Sequence, residues 1–183
     1  DDTQMTLFTA EGLIRGWVRG CFKGITTYSA VTAHAYLRWL QTQGERPKCD
    51  IDFGTDEPGW LFQQRQLHSR RAPGNTCLSA LRAMTSLGEP ARNDSKGCGT
   101  IMRVAPAALM VPRKQVRSVA IETSALTHGH PTGQLAAAAW AEIMADVATG
   151  GMLEEIAATT AREYDVLENG HETARAIRKA LDA

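Results

Sequence analysis

Thr3-Gln4-Met5-Thr6-Leu7-Phe8-Thr9-Ala10-Glu11-Gly12-Leu13-Ile14-Arg15-Gly16-Trp17-Val18 puts Met5, Phe8, Leu13, Ile14, Trp17 and Val18 at mostly helical spacing. Apolar residues returning every three or four positions mark one face of a helix, whereas a strand alternates every second residue. The same signal repeats along the chain. Ser29 offers an N-cap for a second helix through Leu40, with Gly44 beyond its end as a stop. Residues 45–74 break the pattern at Pro47, Gly54, Pro58, Gly59, Pro73 and Gly74, around a short amphipathic piece at 60–67. Asn75 is expected to cap a helix running to Leu87, with Gly88 in the C′ place. Residues 89–99 are polar and lead into 100–110, where Pro106 is compatible with a helix only near its start. Further helices are expected over 113–127, 131–147, 152–167 and 172–181. Pro131 suits a first helical position, and Ala136 to Ala139 permit close helix contact. The expected fold class is all-α, and 183 residues suit a single domain.

Composition narrows the function classes. Lys and Arg number 20, as do Asp and Glu, so net charge points to neither nucleic acid nor a membrane surface. The longest apolar runs, such as residues 104–111, are too short to span a bilayer. Cys21, Cys49, Cys77 and Cys98 lie far apart without a CxxC spacing, which argues against a zinc site of the usual type. Reduced thiols and a cytoplasmic location are the expectation.

Three polar segments at helix boundaries carry the chemistry. Asp1 and Asp2 are adjacent carboxylates whose repulsion a divalent cation would relieve; the alternative is that they complement the start of a helix. In residues 93–103, small residues let backbone N–H groups approach an anion, with Lys96 and Arg103 flanking; the alternative is a turn built from Asn and Gly. His128 and His130 flank Gly129 ahead of Pro131, where they suit a sugar or phosphate contact, acid–base chemistry, or a plain capping turn. His34 and His68 read as structural, and His171 carries no signal. Asp50-Ile51-Asp52 with Asp56 lacks the glycine and terminal Glu of an EF-hand loop and reads as solvated.

In order and spacing, these segments resemble the ADP-ribosylglycohydrolase family, of the dinitrogenase reductase-activating glycohydrolase type. The matching words are Asp-Asp-Thr-Gln-Met-Thr at 1–6, Ala-Pro-Gly-Asn-Thr-Cys-Leu-Ser-Ala-Leu at 72–81 and Asn-Asp-Ser-Lys-Gly-Cys-Gly at 93–99. Met-Arg-Val-Ala-Pro at 102–106 and Thr-His-Gly-His-Pro at 127–131 complete them. The resemblance covers about residues 1–150 and leaves 151–183 as a helical tail. It implies a compact, orthogonal multi-helix bundle with a cleft for two Mg²⁺ or Mn²⁺ ions. It also implies hydrolysis of the bond joining ADP-ribose to a protein side chain or another acceptor. Carried over residue by residue, Asp1 and Asp2 become the metal-binding and catalytic acids. Gly97, Cys98, Gly99, Thr127 and His128 become substrate contacts, with Asn75, Asp94 and Ser95 in words near the site.

The family pattern also has a Thr before the acidic pair, an upstream Gly-Asp-x-x-Gly segment and a C-terminal Asp-x-Asp-Ser/Thr word, none of which this sequence contains. The expectation is therefore a bundle incomplete at both ends, with weak or absent metal binding. Three readings follow: a glycohydrolase, an ADP-ribose-binding module without catalysis, or a self-associating remnant paired as a homodimer over apolar surface.

Overall fold

α1 (Asp2–Lys23) and α2 (Tyr28–Thr42) form an antiparallel pair: Gln4, Thr9, Gly12 and Gly16 meet Gln43, Tyr36, Thr32 and Tyr28 in turn. The computed structural model describes residues 1–48 and 59–183, and every regular element among them is helical. α1 runs five residues past the expected stop because nothing breaks it before Gly24. That residue takes a left-handed φ of 69° and returns its N–H to the Gly20 carbonyl.

Only the first half of the opening stretch behaves as its periodicity predicts. Met5, Phe8 and Leu13 are fully buried, whereas Ile14, Trp17 and Val18 face outward with Phe22 and Ile25. The inner face of that half is glycine. A Cβ on Gly12 would lie 2.7 Å from the Thr32 Cα, and one on Gly16 would lie 2.8 Å from the Tyr28 ring. Close approach of two backbones thus replaces large side chains here.

α2 starts one residue before Ser29, with Thr27 in the extended N-cap position. α3 (Asn75–Ala83) takes Gly74 as its N-cap, so Asn75 is its first residue and not its cap. It ends four residues short of Leu87, where Met84 turns extended. Leu61–Gln63, Arg65–His68 and Ile101–Arg103 form single 3₁₀ turns, the last feeding α4 (Ala105–Met110) with Pro106 in its first turn. α5 (Arg113–Ala125) and α6 (Pro131–Ala148) follow. Pro131 occupies the expected first position, and His130 is the N-cap, its Nδ1 accepting from the Thr132 N–H at 3.0 Å. α7 (Leu153–Asp165) and α8 (His171–Leu181) complete the described chain.

Two clusters make the core. One joins Met5 and Phe8 to Tyr36, Trp39, Leu40, Leu78, Leu81 and Leu126. The other centres on Ala137 to Ala139 of α6, against Val116, Val119 and Ala120 of α5, Val104, and Tyr164 of α7. Burying a large side chain in either contributes about 1.5–3 kcal/mol. α6 also carries a buried acid, Glu142. It accepts from Arg113 Nη1 at 2.7 Å, Arg117 Nε at 2.8 Å and the Tyr164 hydroxyl at 2.6 Å, which ties α5, α6 and α7 together. No described helix is long and apolar enough to cross a membrane. Cys21, Cys77 and Cys98 are free thiols, and Cys49 lies outside the described residues.

Candidate functional site

The start of α3 is where the separate sequence words meet. Its N-cap residue, Gly74, donates its N–H to Asp1 Oδ2 at 3.2 Å. Two residues on, the Thr76 hydroxyl lies 3.3 Å from the Ser95 hydroxyl, which in turn accepts from the Gly97 N–H at 3.4 Å. The Thr6 hydroxyl of α1 lies 2.8 Å from the Asp2 carbonyl and 3.1 Å from the Met102 carbonyl, which sets the first turns of α1 beside the same 93–103 segment. Asp1 precedes α1 yet makes no side-chain cap to it. Its carboxylate crosses to α3 instead, and the second oxygen, Oδ1, is buried with no hydrogen-bond partner.

Asn93 stitches the glycine-rich turn to the histidine segment. Its Oδ1 accepts from the Ser95 N–H at 3.1 Å and the Gly129 N–H at 3.0 Å, and its Nδ2 donates to the Thr127 carbonyl at 2.9 Å. The approach is so close that a Cβ on Gly129 would sit 2.0 Å from the Asn93 carbonyl oxygen. Gly99 lies against the imidazole: its missing Cβ would be 2.8 Å from His128 Cε1, 3.1 Å from Nε2 and 3.2 Å from Cys77 Sγ. A Cβ on Gly97 would be slightly farther, at 3.7 Å from the same Nε2.

Beneath this turn lies Arg103. Its side chain is 1% exposed, and the guanidinium donates to Gly99 O at 2.9 Å, Thr123 O at 3.3 Å and Thr127 Oγ1 at 2.6 Å. It stacks 4.8 Å from the centre of the Tyr36 ring. Thr127 Oγ1 is in turn 2.8 Å from His128 Nδ1. Burial, helped by the positive charge of Arg103, pushes the His128 pKa down to about 4, so the ring is uncharged at neutral pH. Burial likewise raises the Tyr36 pKa and keeps that phenol protonated. Both cations expected to flank a bound anion are therefore engaged elsewhere: Arg103 in this buried network, and Lys96 on Glu172 at 2.7 Å.

Of the residues singled out in the sequence, Asp1, Ser95, Gly97, Gly99, Thr127 and His128 come together. Asp2, Asn75, Asp94 and Cys98 are exposed around them, with Asp94 96% exposed and 4.0 Å from His130. Sequence reasoning assigned no part to Asn93 or Cys77, although both fall inside the matched words. Apart from the local Asn93–Ser95 turn bond, their contacts are long-range, and spacing alone gives no sign of them. His68, read as structural from a setting that offered it no partner, does have one: its Nε2 lies 2.7 Å from the Phe62 carbonyl oxygen. Asp50, Asp52 and Asp56 lie outside the described residues. Among the described residues no group of three or more His, Cys, Asp or Glu is placed to hold a metal.

Comparison with known proteins agrees with the resemblance and extends it. Searches of curated proteins and of solved structures return no match. The family model described as ADP-ribosylglycohydrolase matches residues 1–183, so the likeness continues past residue 150 through what the motifs alone left as a tail. A match of that extent brings a glycohydrolase type of activity with it, and this chain belongs to the ADP-ribosylglycohydrolase family.

Proposed function

We propose that the chain hydrolyses the glycosidic bond between ADP-ribose and a protein side chain or another acceptor. The supporting observation is the convergence at the start of α3: Asp1 on Gly74, Ser95 on Thr76, and Gly99 against Cys77 and His128. A turn bare of side chains admits a phosphate or ribose to within contact of the backbone. Gly97, Cys98 and Gly99 take that role, with Thr127 and His128 against them and Asn75, Asp94 and Ser95 as further contacts. In the reaction the bond at the anomeric carbon breaks and its electron pair leaves with the acceptor. Water then adds its hydroxyl to the ribose and its proton to the acceptor. Positive charge grows on the ribosyl ring along the way, and the carboxylates of Asp1 and Asp2 stabilise it.

Metal dependence is general in the family. The buried, unpartnered Oδ1 of Asp1 suits a hard cation as one oxygen ligand. Two ions do not fit, because no third acid, His or Cys joins Asp1 and Asp2 among the described residues. These two residues would hold a single Mg²⁺ or Mn²⁺, and weakly. When bound, such an ion lowers the pKa of ligated water and polarises a substrate oxygen.

The test is calorimetric titration of ADP-ribose with Mg²⁺ present and again with a chelator, followed by release of ADP-ribose from an ADP-ribosylated arginine peptide. Binding with release that Asp1→Asn abolishes is the expected result. Binding without release selects the second reading, an ADP-ribose-binding module, which the short ligand set favours. Absence of binding in both conditions sinks both readings.

A further inference from the structure

We infer that Arg103 is a positioning residue: acting through Thr127, it fixes the ring hydrogen of His128 on Nε2, aimed at the Gly97–Gly99 turn. His128 then offers a hydrogen bond to an acceptor oxygen there, a phosphate or a sugar hydroxyl, and does not serve as a proton-accepting base. This rests on the ADP-ribose reading only for the identity of that oxygen.

The derivation follows donors and acceptors. A guanidinium has no acceptor, so the 2.6 Å contact makes Thr127 Oγ1 accept from Arg103 Nη2. Thr127 is left with one hydrogen to give. Two acceptors are within reach, the Ser124 carbonyl at 3.5 Å and His128 Nδ1 at 2.8 Å, and the shorter, better bond goes to Nδ1. A nitrogen that accepts carries no hydrogen, so in the uncharged ring the hydrogen sits on Nε2. The opposite tautomer would make Thr127 accept twice and leave its hydrogen to the 3.5 Å contact. Nε2 is the ring atom nearest Gly97, and no described residue accepts from it.

The surroundings keep the ring uncharged. The titratable and charged groups packed around it are Arg103 from the 101–103 turn, Cys77 from α3 and, beneath Arg103, Tyr36 from α2. No described carboxylate pairs with Arg103. Carbonyls, one hydroxyl and the Tyr36 face satisfy it, so its positive charge stays uncompensated beside His128. An imidazolium there would face that charge while almost wholly shielded from water, since His128 is 1% exposed. Arg103 thereby sets the tautomer by geometry, and its field adds to burial in keeping the ring uncharged.

The experiment is nitrogen-15 NMR of histidine-labelled full chain, which distinguishes protonated from bare ring nitrogens, at about pH 6 to 8 where an ordinary histidine titrates. The expected result for the parent is a protonated Nε2, a bare Nδ1 and no titration over that range. Thr127→Val removes the hydroxyl with little change of shape, so hydrogen should shift toward Nδ1, and Thr127→Ser should restore the parent pattern. ADP-ribose affinity should fall about tenfold in Thr127→Val and recover in Thr127→Ser, as for loss of one hydrogen bond. Arg103→Met should move the His128 midpoint up toward its ordinary range. If that variant does not fold, the two Thr127 variants still decide the matter. A parent ring protonated on Nδ1, or a Thr127→Val spectrum identical to the parent, overturns the assignment. A parent spectrum as expected without any ADP-ribose binding overturns the functional reading and leaves the Arg103 assignment standing.

Discussion

Glu142 and Arg103 are both buried and charged, and their neighbours satisfy them in opposite ways. Glu142 meets two guanidiniums and a tyrosine hydroxyl, and those arginines reach water: Arg113 is 46% exposed and Arg117 is 35% exposed. Its charge is neutralised at the junction of three helices. Arg103 meets no described carboxylate, only carbonyls, Thr127 and the Tyr36 ring. The cation–tyrosine stack occurs in both places, with Arg117 5.0 Å from the Tyr164 ring. A neutralised cluster holds helices together and asks little of its exact placement. An uncompensated cation is an expensive device, and its return here is the fixed position of Gly99, Thr127 and His128.

Paired glycine variants offer the hardest blow to this contrast. A Cβ at Gly129 would lie 2.0 Å from the Asn93 carbonyl oxygen, and one at Gly170 would lie 2.0 Å from the Tyr164 carbonyl oxygen. Gly129→Ala and Gly170→Ala should each lose about 3 kcal/mol in urea unfolding, the upper range for overpacking against backbone. Only Gly129→Ala should also lose ADP-ribose binding, since Asn93 and the 93–99 turn must move with it. Equal loss of binding in both variants would erase the distinction between the two regions.

Acid should find the Arg103 side first. The folded pKa of His128 is depressed to about 4, below its ordinary 6.5. Between those values the unfolded chain takes up a proton that the folded one refuses, so stability falls as pH drops from 6.5 toward 4. The His128 share between pH 7 and pH 5 is about 2 kcal/mol. It should emerge as the difference in pH slope between the parent and His128→Gln in urea titrations. Parallel slopes would mean that His128 is solvated in the folded protein.

A smaller effect is expected at the neutralised cluster. Glu142→Gln keeps an acceptor for Tyr164, while Arg113 retains Asp146 at 2.6 Å and Arg117 retains Glu163 at 3.1 Å. The loss should be about 1–2 kcal/mol, the worth of charge-assisted hydrogen bonds whose partners can reach water. ADP-ribose affinity should not change. A tenfold loss of affinity in this variant would connect the two regions and contradict their separation.

Helices were legible in the sequence because Pro131 and the three-to-four-residue spacing act locally, and so were the words that now surround the start of α3. Faces and partners were less so. Trp17 and Val18 repeat at helical spacing like core residues, yet Gly12 and Gly16 turn inward because only they let α1 reach Thr32 and Tyr28. Spacing cannot weigh a close backbone approach against a large side chain. Arg103 next to a glycine turn looked like an anion contact. Its burial and its bonds to residues 20 and 24 positions away give it a different task. The bonds of Asn93 to Thr127 and Gly129 and the contact of Cys77 with Arg103 act across the fold, over distances in sequence that no local pattern records.

Lys96 gives the smallest and most discriminating prediction. Sequence placed it beside the glycine turn as a cation for a bound anion, and the structure turns it to Glu172 of α8, with both side chains about half exposed. A pair that open to water contributes little, so Lys96→Ala should barely move the urea midpoint. The informative readout is the salt dependence of ADP-ribose binding. If Lys96 stays with Glu172, parent and Lys96→Ala should show the same dependence, because no exposed cation is contributed to the ligand. A shallower dependence in the variant would mean that Lys96 leaves Glu172 when the nucleotide arrives. Charge at the site would then come from the surface as well as from Arg103 below.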